Sequence, residues 1–459
     1  MVSREIIEQA LEKTMSGGAD FAEIYIERTK TNFINMLGVR VEKIGDNELC
    51  GIGIRAYKGL RSVYASTCDV SRAGVMKCAS QVAGCVNERT DAPLIRLTER
   101  IFPDVHAIKI VPSGADKRIK TEILRTAANA AKQYSDVISQ VSSTLVDVDH
   151  TVWIANSDGL WCSDRQVRTR LAVVSVASRK GENQSGMCGP GARMGLELFD
   201  TTDPAAVGIE ASRQAVVNLN ADYCRAGKMT VAIENGFGGV IFHESCGHSL
   251  EATSVANGAS QFCNKLGEKI AGDKVTAVDD GTIPNAWGSV NIDDEGHPSQ
   301  RNVLIENGVL KSYLVDRFNA RRMGTVPTGS ARRQSYEYEP TSRMTNTYIA
   351  AGPDKNEDII ASIDFGLYAK SMGGGSVDPA TGAFNFAVNE GYMIRGGKIC
   401  EAVRGASLVG TGSEILRKID MVGDDMQFGQ GMCGSSSGSV PVCVGQPLIR
   451  VSELTVGGR

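Results

Sequence analysis

Phe21-Ala22-Glu23-Ile24-Tyr25-Ile26-Glu27 reads FAEIYIE, and Gly51-Ile52-Gly53-Ile54-Arg55-Ala56-Tyr57 reads GIGIRAY. Both alternate with a period of two between segments bearing Gly and Asn, the pattern of antiparallel strands. Outward from these strands, residues 3–16 read as an amphipathic helix with Ser3 as its N-cap. Ala-rich helical patterns cover 70–87 and 116–134. Strands return over 137–178, with a turn at Asn156-Ser157-Asp158-Gly159, and another helix follows at about 203–220. Helices packed on a mainly antiparallel sheet make an α+β arrangement for residues 1–225.

The texture changes from Lys228. KMTVAIENG is a short strand and turn, and GFGGVIFHESCGHSLEATSVA reads as a helix opened by glycines. Beyond it come short strands and Gly-rich turns: VDDGTIPN, DDEGHP, IENGVL, MGGGSVDPATGAF, IRGGKI and the ending LTVGG. Many short strands with such turns predict a barrel- or sandwich-like domain, mostly β, over residues 226–459.

Bulk properties bound the function. With 459 residues, 42% hydrophobic and 22% charged, the chain can fill more than one core. A net charge of −4 argues against a nucleic-acid partner, because the phosphate backbone calls for a basic surface. The first residues carry Arg4, Glu5, Glu8 and Glu12 where a secretory signal needs an apolar core, and no apolar run approaches the ~20 residues of a membrane span. The expectation is a cytoplasmic protein with no membrane contact. Twelve cysteines without a C-x-x-C pair then read as free thiols, most of them small core residues.

The chemistry concentrates in FHESCGHSLE, residues 242–251. His243 and His248 flank Glu244 as HExxxH, one residue longer than the HExxH of zinc peptidases. On a regular helix, positions five apart point ~140° away from each other, against ~40° for four apart. Two imidazoles so arranged cannot hold one ion. A π-bulge restores them to one face, and such bulges cluster at functional sites. Departure from α geometry is therefore expected over Ser245–His248, eased by Gly247. A catalytic zinc takes three protein ligands, so a third is needed; Glu251, His297, Cys433 and the other cysteines are candidates, and Glu251 can alternatively orient an imidazole. A carboxylate beside the first His is placed to act as general base.

These residues resemble the TldD/PmbA family of metalloproteases. HExxxH followed by Glu251 matches its signature, and AGKMTV (226–231), VDDGTIPNAWGS, NIDDEGHPSQRNVLIENG, DRFNARRMG, RRQSYEYEPTSRMTNTYI and GQPLIRVSELTVGG resemble further family blocks. In the first half, GIGIRAYKGLRSVYAST and NSDGLWCSDRQVRTRL do so too. The resemblance implies a Cys ligand in the G-x-C-G stretch Gly431-Met432-Cys433-Gly434, hence a site of His243, His248 and Cys433 binding Zn2+. It places the chain on the TldD side, since PmbA-type subunits lack the histidines. It further implies hydrolysis of short or unfolded peptides by zinc-activated water with Glu244 as base, in a homodimer or a heterodimer with a PmbA-type subunit. Two rivals remain: a metal-dependent amidase acting on a small molecule, and a non-catalytic peptide-binding partner subunit.

Other features have blander readings beside a functional one. Gly373, Gly374, Gly375 and Ser376 can form a backbone platform for a substrate main chain, or a plain hairpin turn. Arg321-Arg322 and Arg332-Arg333 can meet an acidic substrate or a peptide carboxylate, or be structural. Asp279-Asp280 and Asp293-Asp294 are read as turn residues rather than cation loops. Ser435-Ser436-Ser437 lacks a nucleophile elbow. Cys246 is read as a buried helix cysteine, or else a further thiol near the metal.

Overall fold

The computed structural model describes every residue except Met1, Arg89, Ala92, Pro379 and Ala380. The N-terminal elements are α1 (Arg4–Met15), β1 (Phe21–Leu37), β2 (Arg40–Lys58), β3 (Arg61–Thr67), α2 (Arg72–Val86), α3 (Lys117–Gln133), β4 (Ile138–Asn156), β5 (Leu160–Arg179), β6 (Glu182–Cys188) and α4 (Pro204–Asn220). The sheet runs β3-β2-β1-β4-β5, with β6 on β5, and these pairs are antiparallel. The helix ends follow from their caps. The side chains of Ser3, Ser71, Asp116 and Asp203 each accept a hydrogen bond from a first-turn N–H of α1, α2, α3 and α4.

All four helices lie on one face. Ile7, Leu11, Val75 and Val82 pack on Ile24, Ile26, Ile52 and Ile54. Leu124, Ala128, Ala211 and Ala215 pack on Leu145, Leu171 and Val173. The opposite face, which simple alternation assigns to solvent, is buried as well. Tyr25, Val152, Ile154 and Cys162 meet Ile292 and Tyr336 from the second half of the chain. The polar residues of that face are buried with partners. Glu23 lies 2.9 Å from both Arg55 and Arg333, Arg55 also pairs with Glu295, and Glu27 accepts the Tyr336 N–H at 2.7 Å.

The second half contains β7 (Gly227–Ile233), β8 (Ala277–Asp280), β9 (Arg301–Glu306), β10 (Val309–Leu310), β11 (Asn346–Ile349), β12 (Phe365–Val377), β13 (Ala383–Arg395), β14 (Ser407–Thr411), β15 (Gln427–Ser435), β16 (Gly438–Gln446) and β17 (Ile449–Gly457). β12-β7-β17-β14-β13 closes back onto β12 as a five-stranded barrel. A six-stranded sheet, β10-β9-β8-β11-β16-β15, lies beside it and ends on β15. Of the two architectures expected for this half, the barrel is the one formed.

Three expectations need correction. Residues 236–256 are not one helix: a 3-10 turn (Gly236–Gly239), one turn of α (Val240–Phe242), a π turn (His243–Gly247) and a second 3-10 turn (His248–Leu250) lead to a break at Glu251. Gly373–Ser376 is strand, not turn; of the turn expected over MGGGSVDPATGAF, Pro379 and Ala380 lie outside the described residues. All twelve cysteines are free, but only half are buried; Cys85 lies on an exposed helix face, and Cys68 and Cys263 lie in loops. Among the described residues no helix is long and apolar enough to cross a membrane.

Candidate metal centre

The π turn solves the spacing problem directly. The His248 N–H donates to the carbonyl of His243, five residues back, so the two histidines stand one above the other. Their rings lie 5.2 Å apart at 82°. Gly247 is not there for backbone freedom: its φ of −54° is ordinary helix. A Cβ at Gly247 would come within 2.2 Å of the Met344 sulfur, and one at Gly412 within 2.1 Å of the Ser245 carbonyl oxygen. The distorted turn is therefore held by close neighbours on both sides.

Cys433, on β15, closes the group. Its Sγ lies 3.3 Å from His243 Nε2 and 3.2 Å from His248 Nε2. The three donor atoms fall within 4.8 Å of one another, and His243 and Cys433 are buried. In a tetrahedral zinc site, bonds of ~2.0–2.1 Å to nitrogen and ~2.3 Å to sulfur place the donors about 3.3–3.6 Å apart. The observed S···N distances are about 0.3 Å shorter than the ~3.5–3.6 Å of a zinc-bound S/N pair, a small outward shift from a metal-bound arrangement, and two imidazoles with a thiolate form a zinc-type donor set. Burial pushes the Cys433 thiol up, but His243 and His248 outweigh it and bring its pKa down to about 4. Burial disfavours charge on His248, yet Glu251 and Cys433 raise its pKa well above the usual imidazole value. Groups that together favour a proton's positive charge also favour a cation.

Glu251 touches the far side of the ring: its Oε2 is 3.1 Å from His248 Nδ1. That is the position of an orienting partner rather than a ligand, since His248 uses its other nitrogen toward Cys433. Nδ1 of His243 is buried without a protein partner among the described residues. Glu244 is the most open member, its side chain 28% exposed, with Oε2 3.6 Å from His248 Nε2. His243 and Glu244 line a cleft of about 550 Å³, together with Gly373, Gly374 and Gly375. Ser376 is not part of that lining.

Arg343 was not singled out from sequence, although it lies inside one of the quoted blocks. Fully buried, it donates to the Cys433 carbonyl, to Ser437 Oγ at 3.0 Å and to the Gly438 carbonyl at 2.9 Å. Its Nε is 3.9 Å from Glu251. One guanidinium thus ties the strand carrying Cys433 to the carboxylate behind His248. Of the serine run, Ser437 belongs to this brace and is structural.

The remaining candidates fall elsewhere. His297 meets Arg317 at 3.3 Å and is not in the His-His-Cys group. Cys246 is buried against Ser245 and the Gly412 carbonyl, with burial pushing its thiol up to about 12. Asp279 accepts from Thr345 and Thr347, and Asp293 caps the turn through the N–H groups of Glu295 and His297. Arg321 pairs with Asp20, and Arg322 donates to Asn257.

The sequence matches the PmbA/TldA metallopeptidase C-terminal domain over residues 226–458, the central domain over 111–219 and domain 1 over 22–84. The chain belongs to the TldD/PmbA family. A relative from Haemophilus influenzae, named a metalloprotease TldD homolog, is 39% identical over 89% of this chain and 86% of its own. Two solved structures share the fold. One is a proposed modulator of a DNA gyrase from Thermotoga maritima, with a TM-score of 0.79 at 20% identity, covering 99% of both chains. The other is TldE from Thermococcus kodakarensis, with a TM-score of 0.77 at 19% identity, covering 99% of this chain and 100% of that one. As a TldD/PmbA member the protein is a metal-dependent protease, a hydrolase.

Proposed function

We propose that the protein is a zinc-dependent peptidase acting on short or unfolded peptides, with His243, His248 and Cys433 as ligands and Glu244 as general base. The observation that carries this reading is the π turn, which brings both imidazoles to one thiolate and leaves Glu244 facing the cleft. Zinc in such a site supplies Lewis acidity, lowering the pKa of water and polarising a carbonyl. The chain's own residues do the rest. Glu251 and Arg343 hold His248 and Cys433 in place, and Glu244 takes up a proton and returns it to the leaving amine.

The cleft walls favour an extended main chain. β15 pairs with β16 on one side only, and its Gly429–Met432 segment lines the cleft. Across from it, the register of β12 on β13 slips between Met372 and Gly375, which leaves Gly373 and Gly374 outside the ladder. Apart from the Gly431 carbonyl, which Trp287 Nε1 occupies, these two edges can take a peptide as an added strand, reading backbone rather than side chains. A chain laid between two such walls must be extended and unpaired on both sides, which favours short or unfolded peptides as substrates. The fold shared with TldE supports action as a dimer, with itself or with a PmbA-type subunit. The test is cleavage of an unstructured peptide by zinc-loaded wild type and Glu244→Gln. Equal rates, or wild type without stoichiometric metal, sink the reading.

A further inference from the structure

Behind Met432 lies a second chamber, of about 450 Å³, walled by both halves of the chain. Met432 lines this chamber and the cleft alike, one residue before Cys433. We propose that the chamber is a carboxylate subsite in which the Arg332 guanidinium receives an acidic group of the peptide substrate. The inference rests on the peptidase reading and narrows its substrate class.

Arg332 is only 4% exposed and lines the chamber. Its Nη1 donates to the Met344 carbonyl at 2.7 Å. Among the described residues its Nε and Nη2 have no partner, and no carboxylate comes within ion-pair distance of it. Arg168, equally buried, faces the same chamber and has only neutral partners: the Trp287 carbonyl at 2.8 Å, Gln166 Oε1 at 2.8 Å and the Ser289 carbonyl at 3.1 Å. The neighbouring Arg333 shows the contrast, paired with Glu23 at 2.9 Å. Burying a charge without a direct ion pair is expensive. Two such guanidiniums beside one chamber make a site for an anion; burial lowers the Arg332 pKa to about 10, with Arg343 adding to the fall and the more distant Asp294 and Asp279 carboxylates opposing it.

The chamber's own carboxylates are engaged. Glu27 accepts from Thr29 at 2.6 Å and from the Tyr336 N–H at 2.7 Å, and Asp294 accepts the Arg333 N–H at 2.7 Å. Glu337 is exposed at the rim, and among the described residues it makes no ion pair with Arg332 or Arg168. The free edge of Arg332 presents two donors in a fork, which fits a planar carboxylate. Trp287 is held by its Nε1 donating to the Gly431 carbonyl at 2.9 Å, so its ring borders the chamber next to the strand that lines the cleft. A peptide crossing the cleft can supply the carboxylate from its C-terminus or from an acidic side chain.

Three peptides of one sequence decide the matter: a free acid containing one Asp, its C-terminal amide, and the Asp→Asn form. Each is assayed with zinc-loaded full-length wild type, Arg332→Gln and Arg332→Lys. The preferred carboxylate form should have a kcat/KM about ten- to a hundred-fold higher in wild type, the worth of a charged hydrogen bond. The difference should sit in KM, collapse toward unity in Arg332→Gln and return in part in Arg332→Lys. Loss on amidation assigns the C-terminus; loss on Asp→Asn assigns the side chain. Binding of acetyl-trialanine and of acetyl-Asp-amide, each against its uncharged amide, is followed in parallel by tryptophan fluorescence and needs no cleavage. If zinc-loaded wild type cleaves nothing yet binds one acid in an Arg332-dependent way, the peptidase reading fails and the subsite stands. Equal treatment of all forms by wild type, or a preference that survives in Arg332→Gln, overturns the subsite. Zinc content and circular dichroism verify that each variant is folded.

Discussion

At the residue scale, three side chains that sequence separates by up to 190 positions meet within a bond or two of one point. Their supports are as specific as the ligands. Glu251→Gln keeps the size of the side chain but removes the charge facing His248 Nδ1. It should weaken zinc affinity by about 10- to 100-fold, the usual effect of losing such an orienting partner, as read by competition with a chelator. Unchanged affinity would leave Glu251 without that role. Glu244→Gln should retain zinc and lose about 10²–10⁴-fold in kcat, the worth of a general base. Loss of metal instead would make Glu244 a ligand.

HExxxH and Glu244 were legible because they adjoin in sequence. Cys433 was reached only through family resemblance, since nothing in its own surroundings separates it from Glu251, His297 and the other cysteines as third ligand. Arg343 carried no local signal at all. Its role consists of contacts with Cys433, Ser437 and Glu251, which only the folded chain brings together.

At the scale of elements, α1 to α4 were readable to within about two residues because their caps are local chemistry. The segment after Gly236 was not. Its glycines and apolar residues fit one long helix, whereas the π turn depends on Met344, in the loop before β11, and on Gly412, the residue that follows β14. The distortion itself was expected from the histidine spacing, and it occurs. Gly412→Ala puts a methyl group on the Ser245 carbonyl. It should cost about 1–3 kcal/mol as an overpacked site and lower zinc affinity by displacing the π turn. A variant with wild-type melting temperature and metal affinity would show that the turn needs no such support.

At the scale of the whole molecule, the polar side chains of β1 and β2 are interface residues between the two halves of the chain, which alternation alone does not reveal. The same junction sets acid sensitivity. His106 is buried and its Nδ1 accepts the Asn285 N–H at 3.0 Å, a bond that a protonated ring cannot make. Burial, aided by the Arg193 charge, lowers its pKa to about 4. Its folded pKa thus lies below the unfolded value of about 6.5, so between these limits the unfolded chain binds a proton that the folded chain refuses. The His106 contribution is complete above pH ~6.5 and is lost as pH falls toward 4, by up to about 3 kcal/mol. His106→Gln should therefore flatten the fall of melting temperature between pH 7 and 5 relative to wild type. Parallel curves would remove His106 from the account.

The donor set is the central claim, and zinc K-edge X-ray absorption of the zinc-loaded protein reads it directly. One sulfur at about 2.3 Å and imidazole nitrogens at about 2.0–2.1 Å are expected in wild type, with the sulfur shell absent in Cys433→Ser. A first shell of nitrogen and oxygen alone in wild type, or a sulfur that persists in Cys433→Ser, would contradict it.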